Sequence, residues 1–226
     1  MDGNLQQKII AFIPMFIILV LAVSLHEFAH CWTADRLGDD TPRRAGRVTL
    51  NPLKHLDPLG TLMMVISAFS GYGFGWGKPS PFNPLNFRHP QRDRMLTAIA
   101  GPICNLLQMV AWASIALLCI ELSSFMNRFV LTLLFSLCKM GVILNACLAM
   151  FNLLPVNPLD GHHILSYLAP ESWRPIIDNP KWAFVFMAIV LIPQLRDPIF
   201  KTILDPAIDA VVSGAWHLVG LGGLLK

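Results

Sequence analysis

Long apolar segments separated by short polar ones give the chain its pattern. Three segments hold about 20 or more mainly apolar residues, enough for a helix that crosses a bilayer: residues 9–36, 95–122 and 129–154. Weaker apolar segments lie at residues 59–74, 181–193 and 199–225, and not all of these are expected to cross fully. The pattern predicts an all-α polytopic membrane protein with about five or six transmembrane helices. The chain is short enough to form a single domain, residues 1–226.

The polar residues that interrupt the first apolar segment form the pattern His-Glu-x-x-His, with His26, Glu27 and His30. Residues four apart share one face of a helix, so the two imidazoles can bind the same metal ion. Glu27 can reach a metal-bound water, whose pKa zinc lowers and whose proton a carboxylate can accept. Ionisable side chains at membrane depth need a partner. We therefore interpret the pattern as a zinc site for hydrolysis rather than as chance.

A catalytic zinc ion takes three protein ligands and keeps its fourth position open. The best candidate for the third ligand is Asp160, which follows the end of the apolar segment 129–154. The sequence Pro-x-Asp-Gly around it also favours a turn and a helix start, and on Asp160 alone both interpretations stay open. Because the metal helix lacks its third ligand elsewhere in the chain, we interpret Asp160 as that ligand.

Both motifs resemble those of the site-2 protease family of intramembrane zinc metalloproteases. His-Glu-x-x-His lies on a membrane helix, and Asn-x-x-Pro-x-x-x-Leu-Asp-Gly runs from Asn152 to Gly161 in a later one. Residues 100–105, Ala-Gly-Pro-Ile-Cys-Asn, are similar to a stretch that the family often carries in its middle core helix. The resemblance covers roughly residues 10–168. It implies a three-helix catalytic core formed by residues 9–36, 95–122 and 129–168.

The resemblance also implies roles for individual residues. It makes His26, His30 and Asp160 the ligands of a single Zn2+ ion and Glu27 the catalytic base. It implies that Asn152 helps to hold the backbone of the substrate.

Two further asparagines, Asn105 and Asn145, are candidate substrate contacts. Asn145 lies inside an apolar segment and could instead hydrogen-bond across helices, and we favour this packing role.

The resemblance also implies an activity, the hydrolysis of peptide bonds within or near transmembrane segments of protein substrates in the lipid bilayer.

Three alternatives to an intramembrane protease were weighed. The first is a non-catalytic membrane-protein binding module on the same fold, which would be indicated by the loss of Glu27 or of a ligand, and all are present. The second is a metal transporter, which would need ligands repeated along a pathway. The sequence instead shows one site and scattered histidines in loops. The third is a lipid-acting metallohydrolase, which the residues alone leave open, because activated water attacks esters as well as amides. The resemblance favours peptide bonds.

Composition and charge agree with a membrane protein. Apolar residues make up 54% of the chain and charged residues 14%, against roughly 45–50% and 25% in soluble domains. The net charge of +3 is modest and gives no reason to expect nucleic-acid binding. The five cysteines lack Cys-x-x-Cys spacing and lie mostly in apolar segments, which favours buried thiols over disulfides or a metal cluster.

The topology follows from the motifs and from the basic residues. His30 and Asp160 can meet only if segments 9–36 and 129–154 run in the same direction, with 95–122 running oppositely between them. Both intervening loops then lie on one side, and they carry Arg43, Arg44, Arg47, Lys54, Lys78, Arg88, Arg92 and Arg94. The positive-inside rule places these loops in the cytoplasm. We expect a multi-pass protein of a prokaryotic cell membrane with its active site towards the cytoplasm; the sequence does not indicate its oligomeric state.

The loops carry three further predictions. Residues 46–50 alternate enough for a short membrane-associated β segment to which a substrate peptide could add, although an ordinary hairpin loop fits equally well. His55 is expected to be an exposed loop residue rather than a spare metal ligand. Residues 59–74 must dip into the membrane and return, and their glycine-rich end makes them a candidate mobile gate.

Overall fold

The computed structural model of the protein describes residues 3–69 and 75–222, which fold as helices joined by turns and loops. These residues form no strand, and one isolated antiparallel bridge pairs Leu56 with Gly77. A π-helical segment, Phe200–Leu204, joins the last two α-helices. The described α-helices are α1 (Gly3–Arg36), α2 (Thr41–Arg44), α3 (Pro58–Phe69), α4 (Pro90–Glu121), α5 (Arg128–Asn152), α6 (Asp160–Leu168), α7 (Arg174–Ile177), α8 (Lys181–Leu191), α9 (Pro193–Ile199) and α10 (Asp205–Leu218).

Three of the described helices are long and apolar enough to cross a membrane, namely α1 from Phe12 onward, α4 and α5. The C-terminal helices provide at most one more crossing, because α8 and the helices that follow it are bent by 93°. α3 has 12 residues. At 1.5 Å per residue it is about 18 Å long, too short for a hydrocarbon core of about 30 Å. The described residues therefore contain three helices that could span a membrane, or four if the bent pair is one span. The predicted total of five or six spans is not confirmed.

The short α3 agrees with a segment that enters the membrane without crossing it. Residues 70–74, which follow α3 in the sequence, lie outside the described residues. That part of the predicted mobile gate therefore stays a prediction.

The ends of the spanning helices follow from local sequence signals. Gly38 has φ +111°, a left-handed conformation that ends α1. α4 begins at Pro90, whose ring suits the first turn of a helix. Before α5, the side chain of Asn127 accepts a hydrogen bond of 2.8 Å from the backbone N–H of Phe129, which caps the helix. α1 begins at Gly3, six residues before the predicted start at Ile9.

Residues 46–50 form a turn and bends, not the predicted strand. Gly46 has φ +64°, which reverses the chain. The side chain of Arg47 points inward and is 4% exposed. The carbonyl of Thr49 accepts a hydrogen bond of 2.7 Å from the His55 ring. Groups that a strand would offer to a partner are thus used within the loop.

α4 is the middle helix of the three spans, as the resemblance implied. Its contacts, each written with the α4 residue first, are Thr97–His30, Asn105–His26, Asn105–Asn145 and Trp112–Gly141. As the residue number rises along α4, the number of the contacting residue falls on α1 and also falls on α5. α4 is therefore antiparallel to α1 and to α5, and these two run in the same direction.

Small side chains build the interface between α4 and α5. The set Ala113, Ala116, Val142 and Ala146 is fully buried, and small residues let membrane helices approach closely. At Gly141 a Cβ would lie 2.5 Å from the ring of Trp112. Glycine at this position therefore lets the Trp112 ring of α4 lie against the backbone of α5.

Candidate metal centre

His26, His30 and Asp160 meet at one point between the core helices. His26 Nε2 lies 3.0 Å from His30 Nε2. Asp160 Oδ2 lies 3.2 Å from His26 Nε2 and 3.3 Å from His30 Nε2. The two histidines are buried on one face of α1, and Asp160 is the first residue of α6. The structure thus brings the three predicted ligands within reach of a single ion.

The hydrogen-bond partner of His30 Nδ1 shows that this nitrogen carries a proton. Nδ1 of His30 lies 2.7 Å from the backbone carbonyl of Thr97, and a carbonyl can only accept a hydrogen bond. Nδ1 must therefore carry the proton and donate it. In the neutral ring this leaves the lone pair on Nε2, the atom that faces His26 and Asp160.

A chain of hydrogen bonds that ends on the backbone carbonyl of Gly141 shows which nitrogen of His26 carries a proton. Asn145 Nδ2 donates to the carbonyl of Gly141 at 2.9 Å, so Asn145 Oδ1 is free to accept. It accepts from Asn105 Nδ2 at 3.0 Å, which turns Asn105 Oδ1 towards His26. Nδ1 of His26, 2.6 Å from that oxygen, must donate to it. The Nε2 atom of His26 therefore keeps its lone pair as well.

With both imidazoles neutral, three electron pairs thus converge with no proton between them. Asp160 Oδ2 is buried without a hydrogen-bond donor in the described part of the chain, and such an arrangement requires a cation. Two imidazoles and a carboxylate form a typical zinc donor set, and ligands about 2.0–2.1 Å from a tetrahedral ion lie about 3.3 Å apart. The observed separations of 3.0 to 3.3 Å match this spacing. The residues fit zinc and leave one coordination position open.

Two glycines make room for this arrangement. A Cβ on Gly101 would overlap with ring atoms of both His26 and His30, so α4 can lie against the imidazoles only because this residue is glycine. A Cβ on Gly161 would overlap with the carbonyl groups of the loop after α5, at Leu153 and Leu154. That loop returns the chain to the site, and glycine there lets α6 start with Asp160 in place.

α6 carries two more histidines, which do not join the metal ligands. His162 Nε2 pairs with Asp178 Oδ1 at 2.9 Å, and His162 Nδ1 lies 3.2 Å from His163 Nδ1. Burial, together with the nearby Arg94 and His162, lowers the pKa of His163 to about 4. His163 is therefore neutral at physiological pH. Among the described residues, the group within reach of one ion is limited to His26, His30 and Asp160.

Glu27 lies beside His26, and a hydroxyl group holds its carboxylate. Ser80 Oγ lies 2.7 Å from Glu27 Oε2 and 3.0 Å from the Glu27 carbonyl, and it donates to these oxygens. The Ser80 oxygen in turn accepts from the thiol of Cys31 at 3.1 Å. Glu27 as a whole residue is partly buried.

Residues 75–83, which we call the covering segment, lie across Glu27. A Cβ on Gly77 would lie 3.3 Å from Glu27 Oε1, so the backbone passes directly over the carboxylate. Residues of the preceding loop fasten the segment through Arg47 Nη2 to Lys78 O (2.7 Å), Arg47 Nη1 to Pro79 O (3.2 Å), Lys78 N to His55 O (2.7 Å) and Asn83 N to Asp39 Oδ2 (2.6 Å). The position of Ser80 is thus set by hydrogen bonds between the covering segment and the preceding loop.

His55 is fully buried, which corrects the prediction of an exposed loop residue. Its ring donates to the carbonyl of Thr49, and its own carbonyl accepts from Lys78. Burial lowers the pKa of His55, so the ring is neutral. Since His55 does not belong to the group that converges on one ion, it acts as a structural residue of the loop.

Two of the three asparagines considered as substrate contacts serve the metal ligands instead. Asn105 and Asn145 are fully buried, and their amide groups are engaged with His26, with each other and with backbone carbonyls. A substrate could bind either one only by breaking these bonds. The packing role favoured for Asn145 agrees with this position. Asn152 is partly buried and donates to the Leu148 carbonyl at 2.9 Å, and its role towards substrate stays a prediction.

Sequence reasoning assigned no role to Ser80, Thr97 or Gly101. Gly101 lies in the Ala-Gly-Pro stretch that carries part of the resemblance, so a signal for it was present. Thr97 acts through its backbone carbonyl, which any residue can supply. Ser80 lies in a proline-rich polar loop, and its place over α1 depends on contacts between loops. Neither residue has a signal in its own sequence.

The fold and the site define a membrane-embedded metallohydrolase. An apolar helix of membrane length carries two of the three ligands, the third begins the short helix that follows another such helix, and a carboxylate that can accept protons lies beside them. The comparisons with known proteins assign this class to a family.

A model of the family described as Peptidase family M50 matches residues 120–193. The "Putative zinc metalloprotease YwhC" of Bacillus subtilis is 32% identical over 199 residues, which cover 88% of this chain and 89% of that protein. The "Putative zinc metalloprotease Rip2" of Mycolicibacterium smegmatis is 29% identical over 203 residues, 86% of this chain and 74% of that protein. Its namesake from Mycobacterium tuberculosis is 28% identical over 220 residues, 95% of this chain and 81% of that protein. No solved structure matches the chain.

The chain belongs to peptidase family M50, the site-2 protease family, and it is a zinc metalloprotease of that family. The resemblance inferred from the two motifs is thereby confirmed.

Proposed function

We propose that the protein hydrolyses peptide bonds within or near the transmembrane segments of other membrane proteins, with His26, His30 and Asp160 holding the zinc ion and Glu27 acting as the base. The observation that carries the proposal is the convergence of His26, His30 and Asp160 on one point beside the partly buried Glu27. When bound there, zinc would supply Lewis-acid polarisation of the scissile carbonyl and acidify a water molecule.

The residues around the ion have separate roles in proton transfer and in orienting the ligands. Glu27 accepts a proton from the attacking water and later delivers it to the leaving amine. Ser80 orients the Glu27 carboxylate by hydrogen-bonding Oε2. Thr97 and Asn105 orient the two imidazoles so that their Nε2 lone pairs face the position of the ion.

Substrate handling requires an unwound segment, because a peptide bond inside a helix is shielded by its own hydrogen bonds. Asn152 ends α5 close to the loop that leads to Asp160, and we assign it the role of holding the extended substrate backbone. We place the site towards the cytoplasmic side of a prokaryotic cell membrane. The support is the concentration of Arg and Lys in the two loops that flank α3.

The test is paired. Wild-type protein and Glu27→Gln are purified in detergent, their zinc content is measured, and each is incubated with a panel of single-span membrane peptides. Glu121→Gln, at the exposed end of α4, is the matched control. We expect about one zinc ion per chain in all three proteins and cleavage within the spans by wild type and Glu121→Gln only.

Three other outcomes would count against the proposal. Zinc binding without cleavage of any peptide would favour a non-catalytic binding module. Cleavage of phospholipid esters added to the same detergent samples, without cleavage of peptides, would favour a lipid-acting metallohydrolase. Cleavage by Glu27→Gln at the wild-type rate would remove Glu27 from the role of base.

A further inference from the structure

Lys139 lies in the middle of a membrane-spanning helix with its side chain exposed. It is the twelfth of the 25 residues of α5. At 1.5 Å per residue, its Cα is about 16 Å from one end of the helix and about 20 Å from the other. The flexible stem of lysine covers only part of either distance, so its ammonium group is held within the hydrocarbon region or close to it.

A charged group at this depth is costly unless it finds a partner. The Lys139 side chain forms no hydrogen bond or ion pair with any residue that the structure describes. The apolar part of α5 contains neither Asp nor Glu, and the same is true of residues 12–26 of α1 and residues 94–120 of α4. The three-helix core therefore offers no carboxylate at the depth of this cation.

Lys139 lines an open groove formed by α5 together with Met15 of α1. The groove has a volume of about 310 Å³ and is lined by Met15, Ser136, Lys139, Met140, Ile143 and Leu144. The hydroxyl of Ser136 is engaged with the carbonyl of Thr132, so it does not satisfy the lysine. The two methionines provide an apolar surface that adapts to differently shaped side chains.

We propose that this groove is the docking site for the transmembrane helix of a protein substrate, and that Lys139 selects substrates with an Asp or Glu in that helix. The proposal rests on the proposed function. α1 and α5, which form the groove, are also the helices whose ends carry the metal ligands or lead to them. A helix lying along the groove therefore continues towards the metal site.

The geometry also limits where the substrate carboxylate lies relative to the scissile bond. Asn145, which belongs to the hydrogen-bond chain that orients His26, follows Lys139 by six residues. This corresponds to about 9 Å along the helix axis, or about three to six substrate residues depending on how far the segment is unwound. A substrate should therefore carry its acidic residue about three to six positions from the cleaved bond.

Two other occupants agree less well with the structure. A lipid headgroup lies at the membrane interface, whereas Lys139 is near the middle of its helix. A second copy of this chain lacks a carboxylate at this depth on its three core spans.

The test measures binding as well as cleavage, with protein reconstituted in phosphatidylcholine vesicles. The probes are synthetic single-span peptides that differ at one central position, which is Asp, Asn or Lys. We expect wild type to bind the Asp peptide about tenfold more tightly than the Asn peptide. Lys139→Met should abolish this preference, Lys139→Arg should keep it, and Lys139→Glu should transfer it to the Lys peptide. Lys201→Met, at an exposed lysine outside the core, should behave as wild type.

Several outcomes would overturn the proposal. Equal affinity of wild type for the Asp and Asn peptides removes the pairing. Loss of bound phosphatidylglycerol in Lys139→Met, in vesicles that contain it, identifies a lipid occupant instead. A smaller dimer fraction for Lys139→Met in sedimentation identifies a second copy.

The two proposals can fail separately. Lys139-dependent binding without cleavage by any variant contradicts the protease proposal and leaves the groove in place. Cleavage that does not depend on residue 139 contradicts the groove and leaves the protease in place.

Discussion

The hydroxyl of Ser80 donates a hydrogen bond to Oε2 of Glu27 across a distance of 2.7 Å, although the two residues are 53 positions apart in the chain. This contact ties the predicted base on α1 to the covering segment. The position of that segment depends in turn on buried polar residues of the preceding loop. The orientation of Glu27 is thus set from outside its own helix.

Removing this hydroxyl should weaken catalysis without removing the metal. We expect Ser80→Ala to lower kcat by about tenfold, because Glu27 then samples more orientations, while KM and zinc content stay close to wild type. Ser80→Thr, which keeps a hydroxyl group, should retain most of the activity. Ser114→Ala, which removes an exposed hydroxyl bound to its own helix, is the matched control. An unchanged kcat for Ser80→Ala would contradict the positioning role.

Asn105 should control zinc affinity, because it determines the proton position of His26. We expect Asn105→Leu to weaken zinc binding by about 10- to 100-fold, measured by competition with a chromogenic chelator. Asn105→Asp keeps an acceptor for His26 Nδ1 and should lose less. Gln108→Leu, one turn further along α4 and without contact to the ligands, is the control. Equal zinc affinities for Asn105→Leu and Gln108→Leu would refute the relay.

Gly101 should tolerate no side chain, since a Cβ would enter the space of both imidazoles. We expect Gly101→Ala to lose zinc and activity together, while the helical circular dichroism is retained. Gly214→Ala in α10 is matched, because nothing lies within 4 Å of its Cβ. This control should bind zinc normally and should be as stable as wild type or up to about 1 kcal/mol more stable. Full zinc content in Gly101→Ala would show that α4 can retreat from the site.

Asp39 should stabilise the loop that holds the covering segment. Burial acts to raise the pKa of Asp39, but hydrogen bonds from Thr41, Asn86 and Asn83 outweigh it and hold the pKa below its usual value. The carboxylate therefore contributes stability above the unfolded pKa of about 4, and this stability is lost as the pH falls through the lower folded pKa.

Replacing Asp39 with alanine should cost about 1–3 kcal/mol of unfolding free energy at pH 7, because several buried donors lose their acceptor. Thermal unfolding of the purified protein measures this loss as a lower Tm, and the difference from wild type should shrink below pH 4. Asp40→Ala is the control, since Asp40 forms only an exposed pair with Arg44. A Tm difference that does not change with pH would mean that the Asp39 charge is not responsible.

The sequence predicted the three core spans because each contains a long uninterrupted apolar stretch. The predicted total of five or six crossings is not confirmed by the described residues, for a physical reason. α3 is too short to cross, and the C-terminal apolar residues are divided among several helices with a sharp bend between them. Pro193 stands at that bend, as the first residue of α9. Whether two such pieces form one crossing depends on their packing, which periodicity does not report.

The metal ligands could be predicted because their chemistry requires particular side chains at a fixed helical spacing. The groups that orient them could not, for different reasons. The Thr97 contact uses a carbonyl that every residue possesses, and the Gly141 carbonyl is reached only through two asparagines on different helices. His55 was misjudged because a polar residue in a loop is usually exposed, whereas this one is buried by contacts with a distant segment.

The chain of hydrogen bonds from Gly141 to His26 makes the site a product of assembly. A nascent chain that has inserted only α1 possesses both histidines but nothing to locate the proton on His26. The acceptor arrives with α4, its direction is set by a backbone carbonyl of α5, and the third ligand follows at the start of α6. Metal uptake should therefore report the completion of the three-helix core, and a ribosome-bound fragment ending before Asp160 should remain unable to hold zinc tightly.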